Sequence, residues 1–265
     1  MTLLEAVLLG IVQGLTEFLP VSSSGHLVLS QAVMGIEIPG VMFEVALHVA
    51  TVCAVLWVYR FAVIRLISGV VRGERESLIY VALLLLASVP AALAGTLAAD
   101  ALEGTYESPI LAAVLLLVTG TWIWTIRWSA ARAQDTRPGW WTAVAVGVAQ
   151  AIAILPGISR SGATVATGAW LGVKVERMAE FSFLLSVPAI GGAAVLQLGE
   201  ARAAWSLIGT APLVMGAVVA CLSGILAIRI FLSMLRKGIF HRFSYYCWAV
   251  GLVYLGAALF VPGLR

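Results

Sequence analysis

Residues 10–26 read GIVQGLTEFLPVSSSGH, and residues 147–164 read GVAQAIAILPGISRSGAT. Both are polar passages, broken by glycine and proline, inside otherwise apolar chain. Gln13 to Gly25 and Gln150 to Gly162 each span 12 residues, so the second passage repeats the first at an offset of 137, with Pro20 and Pro156 inside them. The first copy offers a carboxylate, serines and a histidine; the second offers serines and an arginine. Hydrocarbon makes such side chains expensive, so a membrane chain keeps them where they have a function.

The surroundings indicate such a chain. Of 265 residues, 62% are hydrophobic and 11% charged, and the mean hydropathy is +1.04, far from soluble domains. LIYVALLLLASVPAALAGTLAA (Leu78–Ala99) is long enough to cross a bilayer core of about 30 Å as helix. Six spans are expected, at roughly 41–59, 78–99, 109–126, 178–198, 207–228 and 244–262. The polar passages, at 1–35 and 141–172, each precede three of them. Pro20 and Pro156 break a continuous helix, so each passage reads as a helix–loop–helix that enters the membrane and returns. The N-terminus lacks a basic region and carries Glu5, so it is not expected to be a cleavable signal.

Basic residues cluster in four connections: Arg60, Arg65, Arg72 and Arg75; Arg127, Arg132 and Arg137; Lys174 and Arg177; Arg229, Arg236, Lys237 and Arg242. These are 13 of the 16 Lys and Arg residues. The connection at 100–108 is acidic (Asp100, Glu103, Glu107), and 199–206 holds one arginine. The positive-inside rule places the four basic connections in the cytoplasm and the other two outside. Parity then has the first hairpin entering from outside and the second from inside. Three spans per half is odd, so the halves have opposite orientation. The expected fold is an all-α integral membrane protein of six transmembrane helices plus two re-entrant helix-loop-helix hairpins, arranged as an inverted-topology repeat. It forms a single membrane domain over 1–265, with halves of approximately 1–135 and 136–265.

In the first passage Gln13 and Glu17 are four apart and share a helix face. Pro20–Gly25 is the expected turn, with His26 opening the returning arm. Serines after a proline suit an N-cap, which leaves free amides there. A Ser-rich turn ordinarily only caps a helix, and a lone histidine is ordinarily a satisfied core residue. Glu17 shifts the balance, because an intramembrane carboxylate needs a partner or a proton. Pro156-Gly157-Ile158-Ser159-Arg160-Ser161-Gly162 supplies that partner, before an expected helix start at Ala163. Guanidinium, hydroxyls and helix N-terminal amides make an anion site that suits phosphate. An Arg160–Glu17 ion pair that merely locks the hairpins together is the plain alternative. Together the passages offer a phosphate clamp (Arg160), a nucleophile (Ser22, Ser23 or Ser24), a base or acid (His26) and a carboxylate (Glu17), the roles needed for phosphoryl transfer.

Other polar residues rank lower. Glu44 and His48 lie one turn apart near the outer end of the first span; they could approach the first hairpin, but the ordinary helix-end pair is the preferred reading. His241 is expected to be solvated. Cys53, Cys221 and Cys247 read as small core residues, and Trp57, Trp128, Trp140, Trp141 and Trp205 as interfacial aromatics.

GLTEFLPVSSSGHL (Gly14–Leu27) and LPGISRSGAT (Leu155–Thr164), with Phe43–Glu44 and EFSFLLSVPA (Glu180–Ala189), resemble the undecaprenyl-diphosphate phosphatase family, also called bacitracin-resistance proteins. The similarity covers essentially the whole chain. It implies hydrolysis of undecaprenyl diphosphate to undecaprenyl phosphate and inorganic phosphate, which recycles the lipid carrier for cell-wall synthesis. The implied location is the bacterial inner membrane, with the site open to the outer side. Catalytic roles fall on Glu17, Ser23, His26 and Arg160, with Ser23 as nucleophile and His26 as base, or His26 as nucleophile and Ser23 as a phosphate ligand. Substrate contacts fall on Gln13, Ser22, Ser24, Ser159, Ser161, Gly162 and Thr164. The more familiar family pattern has Glu where this chain has Gln13, which weakens a two-carboxylate metal site and leaves Glu17 as the sole candidate ligand. No tightly bound cofactor is implied; a divalent cation (Mg or Ca) would assist through the diphosphate. The expected partners are an isoprenyl diphosphate and membrane lipids, with no nucleic acid. Small residues around Gly191-Gly192 would suit a homodimer or packing within one protomer. The main competing reading is a transporter or flippase of a lipid phosphate, since inverted repeats with broken helices are common among transporters. A channel or purely structural protein leaves the Ser-His-Glu-Arg set without a purpose.

Overall fold

The computed structural model describes residues 1–36, 42–196 and 208–261. The expected span ends at 41, 198, 207 and 262, together with Arg202 and Trp205, lie outside the described residues. Among the described residues thirteen α-helices follow one another: α1 (Leu3–Phe18), α2 (Ser23–Met34), α3 (Met42–Val58), α4 (Arg60–Val71), α5 (Arg75–Leu97), α6 (Ala99–Tyr106), α7 (Pro109–Trp124), α8 (Ile126–Ser129), α9 (Trp140–Ile152), α10 (Arg160–Trp170), α11 (Val175–Leu196), α12 (Thr210–Arg236) and α13 (Phe243–Phe260). Among the described residues the sole β feature is an isolated bridge between Asp135 and Val173.

Among the described residues five stretches are long and apolar enough to cross a membrane: Arg75–Leu97, Pro109–Ser129, Val175–Val195, Thr210–Arg236 and Phe240–Phe260. The expected first span corresponds to α3, which qualifies only together with α4, and the two are bent by 80°. Arg60, Arg65 and Arg72 therefore do not sit in a plain connection. Arg60 opens α4, its guanidinium 4.5 Å from the Phe61 ring centroid, and Arg65 lies within that helix. The acidic 100–108 connection is likewise largely helical, as α6.

Sequence sets the helix limits. Thr2 and Glu5 form a reciprocal capping box at the start of α1, satisfying two amides that have no helical acceptor. Leu19 is extended (φ −65°, ψ 144°), as a residue before proline must be, and α1 ends there. Both returning helices begin three residues earlier than expected, α2 at Ser23 rather than His26 and α10 at Arg160 rather than Ala163. In each case a serine just upstream is the N-cap: Ser22 Oγ accepts from the Gly25 amide at 3.2 Å, and Ser159 Oγ from the Gly162 amide at 3.1 Å.

Helices inside a bilayer gain little from hydrophobic association and rely on close packing and polar contacts. Accordingly α1 lies against α12 at glycines: a Cβ on Gly10 would fall 2.6 Å from the Gly216 carbonyl oxygen. α9 approaches α5 in the same manner, where a Cβ on Gly147 would meet the Ala87 carbonyl at 2.7 Å. α3 packs on α12, α11 packs on α5, α7 packs on α13, and both α2 and α10 touch α7. The largest buried cluster joins Phe18, Phe183 and Phe231, with ring centroids 5.4 and 5.2 Å apart in edge-to-face contacts.

Trp57, Trp128, Trp140 and Trp141 are exposed, as interfacial aromatics should be. Of the cysteines only Cys247 is buried; Cys53 is exposed and Cys221 half-buried, since the spans carrying them present those faces outward. His241 is half-buried, edge-on to Trp124 at 5.9 Å, rather than solvated.

Candidate active site

The two broken passages meet at their turns. Ser22 sits at φ 67°, ψ 100°, a left-handed conformation that costs a non-glycine residue roughly 1–3 kcal/mol and persists only where its surroundings hold it. What holds it is its own hydroxyl: Oγ accepts from the Gly25 amide and, at 3.1 Å, from the Gly157 amide of the other turn. The two turns touch so closely that a Cβ on Gly25 would fall 2.8 Å from Gly157 Cα. Gly157 itself has φ 99°, which suits glycine alone.

Further bonds cross the junction. Ser161 Oγ donates to the Leu19 carbonyl at 3.2 Å. Thr119, in the middle of α7, donates to the Gly157 carbonyl at 2.7 Å and accepts from the Ser159 amide at 2.9 Å. Ser22 and Ser24 hydroxyls lie 3.4 Å apart, and Ser159 and Ser161 hydroxyls 3.2 Å apart. The first amides of α2 and α10 have no carbonyl one turn back to bond, so two helix N-termini with positive dipole ends open beside this junction.

Glu17, with its side chain 4% exposed, is the hub. Its Oε1 receives Arg160 Nη2 at 2.6 Å. Its Oε2 receives Gln13 Nε2 at 3.0 Å and the Ser23 hydroxyl at 2.5 Å, and faces His48 Nε2 at 3.5 Å. Arg160 Nη1 donates to the Ser182 carbonyl of α11 at 3.2 Å, and Thr164 and Ser182 hydroxyls pair at 2.7 Å. The Arg160–Glu17 ion pair foreseen from sequence is therefore present, amid hydroxyls that an inert lock would not need.

His26 is anchored by Nδ1 to the Ser22 carbonyl at 2.8 Å, and its Nε2 meets the Tyr246 hydroxyl of α13 at 3.0 Å, with the two rings stacked. A carbonyl only accepts, so Nδ1 carries the hydrogen and Nε2 keeps its lone pair, assigned here from the partners. Ser23 thus hands its hydrogen bond to Glu17, while His26 is occupied with Tyr246.

Every named candidate, Gln13, Glu17, Ser22, Ser23, Ser24, His26, Ser159, Arg160, Ser161, Gly162 and Thr164, lies in or against this junction. The sequence reading missed three neighbours, Thr119, Ser182 and Tyr246, and ranked the approach of His48 to the first hairpin second. The helix-end reading of Glu44 and His48 is corrected. Glu44 Oε1 accepts from Gln31 of α2 at 2.8 Å, and His48 reaches Glu17, because α3 runs beside α1 and places this face toward the first passage. An imidazole in an apolar span was the available signal for His48. Thr119 and Ser182 carried none, since isolated hydroxyls in apolar helices usually bond their own backbone.

A resident hard cation takes about six oxygen ligands. Glu17 spends its oxygens on protein donors, Gln13 Oε1 is a single buried carbonyl without a partner, and among the described residues no group of three His, Cys, Asp or Glu side chains gathers. This donor set does not fit a resident metal.

A many-helix membrane protein with a buried, charge-paired oxyanion centre built from two matching turns is the class these features define. A family model described as Bacitracin resistance protein BacA matches residues 6–253, and the chain belongs to that family. It is 38% identical over 271 residues to an undecaprenyl-diphosphatase of Desulfatibacillum aliphaticivorans, covering 96% of this chain and 98% of that one. It is 41% identical over 264 residues to one from Rubrobacter xylanophilus (94% and 95% covered) and 40% over 259 residues to one from Syntrophotalea carbinolica (95% and 97%).

Proposed function

We propose that the protein hydrolyses undecaprenyl diphosphate to undecaprenyl phosphate and inorganic phosphate, recycling the lipid carrier of peptidoglycan synthesis and so conferring bacitracin resistance. The observation that carries this reading is the convergence of Arg160, two helix N-termini and the Ser23–Glu17 and His26 pairs at one buried junction. Full-length relatives named undecaprenyl-diphosphatase support it.

In the reaction, Arg160 and the amides of the two turns hold the diphosphate and balance charge as it develops. Ser23 Oγ attacks the terminal phosphorus, its proton passes to Glu17, and isoprenyl phosphate leaves with the electrons of the broken P–O bond. Water then attacks the phosphoserine, with His26 Nε2 taking its proton; the Ser23 Oγ–P bond breaks, Ser23 recovers its proton from Glu17, and inorganic phosphate departs. Any divalent ion arrives on the diphosphate, and no step is assigned to it.

The membrane arrangement belongs to the same proposal. The two broken passages are re-entrant hairpins related as an inverted repeat in one membrane domain. This is supported by the matched helix pairs α1–α12 and α9–α5, and α3–α12 and α11–α5. Family membership points to the bacterial inner membrane with the site open outward, and the charge pattern, which has the first hairpin entering from outside, agrees with that opening.

The test is phosphate release from an isoprenyl diphosphate by purified protein in detergent, wild type beside Arg160→Ala and His26→Ala. Release per folded molecule that collapses in both variants supports the reading; no release by folded wild type shifts it to lipid-phosphate transport. Trapped phosphoprotein separates the nucleophiles, since phosphoserine survives acid and phosphohistidine does not. Near-normal turnover in Ser23→Ala would overturn the serine assignment.

A further inference from the structure

The 80° bend after α3 sets α4 across the direction of the membrane spans, because α3 packs along α12, one of those spans. At 12 residues α4 is about 18 Å long, too short to cross a hydrocarbon core of about 30 Å. One of its faces is committed to the protein. Val63 and Leu66 pack against the largest buried cluster, Gly69 is buried, and the helix rests on α5. The opposite face is apolar and bare. Phe61, Ile64, Ile67 and Val71 follow at three- and four-residue spacing, so they share a side of the helix, and they are 65%, 60%, 59% and 80% exposed.

Arginines border this face. Arg65 and Arg72, seven residues apart, run along one edge of it. Arg60 stands at the bend, donating to the Trp57 carbonyl at 2.9 Å with its guanidinium against the Trp57 and Phe61 rings. All three are exposed. Arg72 has Glu74 at 3.9 Å, and among the described residues Arg60 and Arg65 have no carboxylate within ion-pair distance. A helix in water would carry polar side chains where α4 carries these four, and a helix in hydrocarbon would not carry these arginines. The boundary between the two media suits both sets.

We propose that α4 is an interfacial helix, which sets its apolar face into the headgroup–acyl boundary and binds anionic phospholipid through Arg60, Arg65 and Arg72. Charge selects this occupant. Guanidiniums without carboxylate partners bind phosphate oxygens, and a net negative headgroup is drawn to them where a zwitterionic one is not. A second copy of the chain, docked on this face by a two-fold axis, would set the same arginines against each other. Trp57, 57% exposed beside Arg60, belongs at the same depth. In the orientation proposed above, this is the cytoplasmic leaflet.

Insertion is tested with a nitroxide on Ile67→Cys, in a Cys53→Ala/Cys221→Ala background of the full chain. The nanodiscs hold three parts phosphatidylcholine to one part phosphatidylglycerol. The probe is expected to collide with dissolved oxygen more often than with a water-soluble nickel chelate, as a probe among acyl chains does. The reverse order overturns the proposal. Spin–spin broadening that vanishes on dilution with unlabelled protein means that a second copy covers the face, and overturns it too. Headgroup choice is read from the lipid that the protein retains on extraction into mild detergent. Phosphatidylglycerol is expected to be enriched over phosphatidylcholine, and the enrichment to fall by at most about fivefold for each arginine replaced. Enrichment unchanged in Arg60→Gln/Arg65→Gln/Arg72→Gln, or lowered as far in Arg127→Gln/Arg132→Gln, overturns the assignment to α4. The replaced side chains are exposed, and an unchanged thermal midpoint shows that the fold is kept. Neither measurement uses turnover, so failure of the phosphatase reading leaves both standing.

Discussion

Arg160 Nη2 lies 2.6 Å from Glu17 Oε1, joining residues 143 positions apart in the chain. Both side chains are nearly closed off from solvent, 15% and 4% exposed. Removing one partner of such a pair leaves an uncompensated buried charge, at a cost of about 3–5 kcal/mol. Arg160→Ala should therefore lower thermal stability sharply as well as abolish turnover. The double variant Arg160→Ala/Glu17→Gln should regain much of the stability and none of the activity. Thermal unfolding and phosphate release on the same preparations check this; a double variant no more stable than Arg160→Ala would show that the pair does not hold the turns together.

Gly25→Ala should wedge the turns apart, because the added methyl carbon would stand 2.8 Å from Gly157 Cα and 2.9 Å from its nitrogen. Backbone on both sides cannot yield as a side chain can. Activity is expected to fall by at least about a hundredfold, as a misplacement of about 1 Å implies, with helix content retained by circular dichroism. Normal kinetics in this variant would mean that the contact is looser than described.

Ser22→Ala removes an N-cap, commonly worth about 1 kcal/mol, and also leaves the Gly157 amide without its acceptor. The residue keeps a left-handed φ that alanine tolerates poorly. A loss of about 2–4 kcal/mol in stability is expected, larger than for Ser24→Ala. Parallel unfolding curves of the two variants decide it, and equal midpoints would contradict it.

Gln13→Glu would set a second carboxylate where the amide now donates to Glu17 at 3.0 Å. Two carboxylates so close repel unless a proton or cation intervenes. Turnover of this variant is expected to depend on Mg²⁺ or Ca²⁺ more steeply than that of the wild type. Titration after chelator treatment measures this, and identical cation dependence would refute it.

The polar passages were legible because polar residues at membrane depth stand out against apolar chain, and the long spans because hydropathy marks them. Helix starts were misjudged by three residues: Ser22 and Ser159 reach forward as caps, and cap geometry depends on φ and ψ that spacing does not reveal. The 80° break between α3 and α4 falls at Tyr59-Arg60 without a proline or glycine to mark it. Thr119, Ser182 and Tyr246 escaped for another reason. Each is an isolated polar residue on an apolar helix, and its role exists only once a distant turn is packed against it.

The repeat is unequal where it matters most. At the offset of 137, the position matching Glu17 is Ile154 and the one matching Arg160 is Ser23. Two copies of the first passage would bring carboxylate to carboxylate, and two of the second would bring guanidinium to guanidinium. Only the unlike combination is electrically balanced. The passages share a scaffold but have divided the labour, so swapping one for the other would preserve the outline of the molecule and extinguish its chemistry.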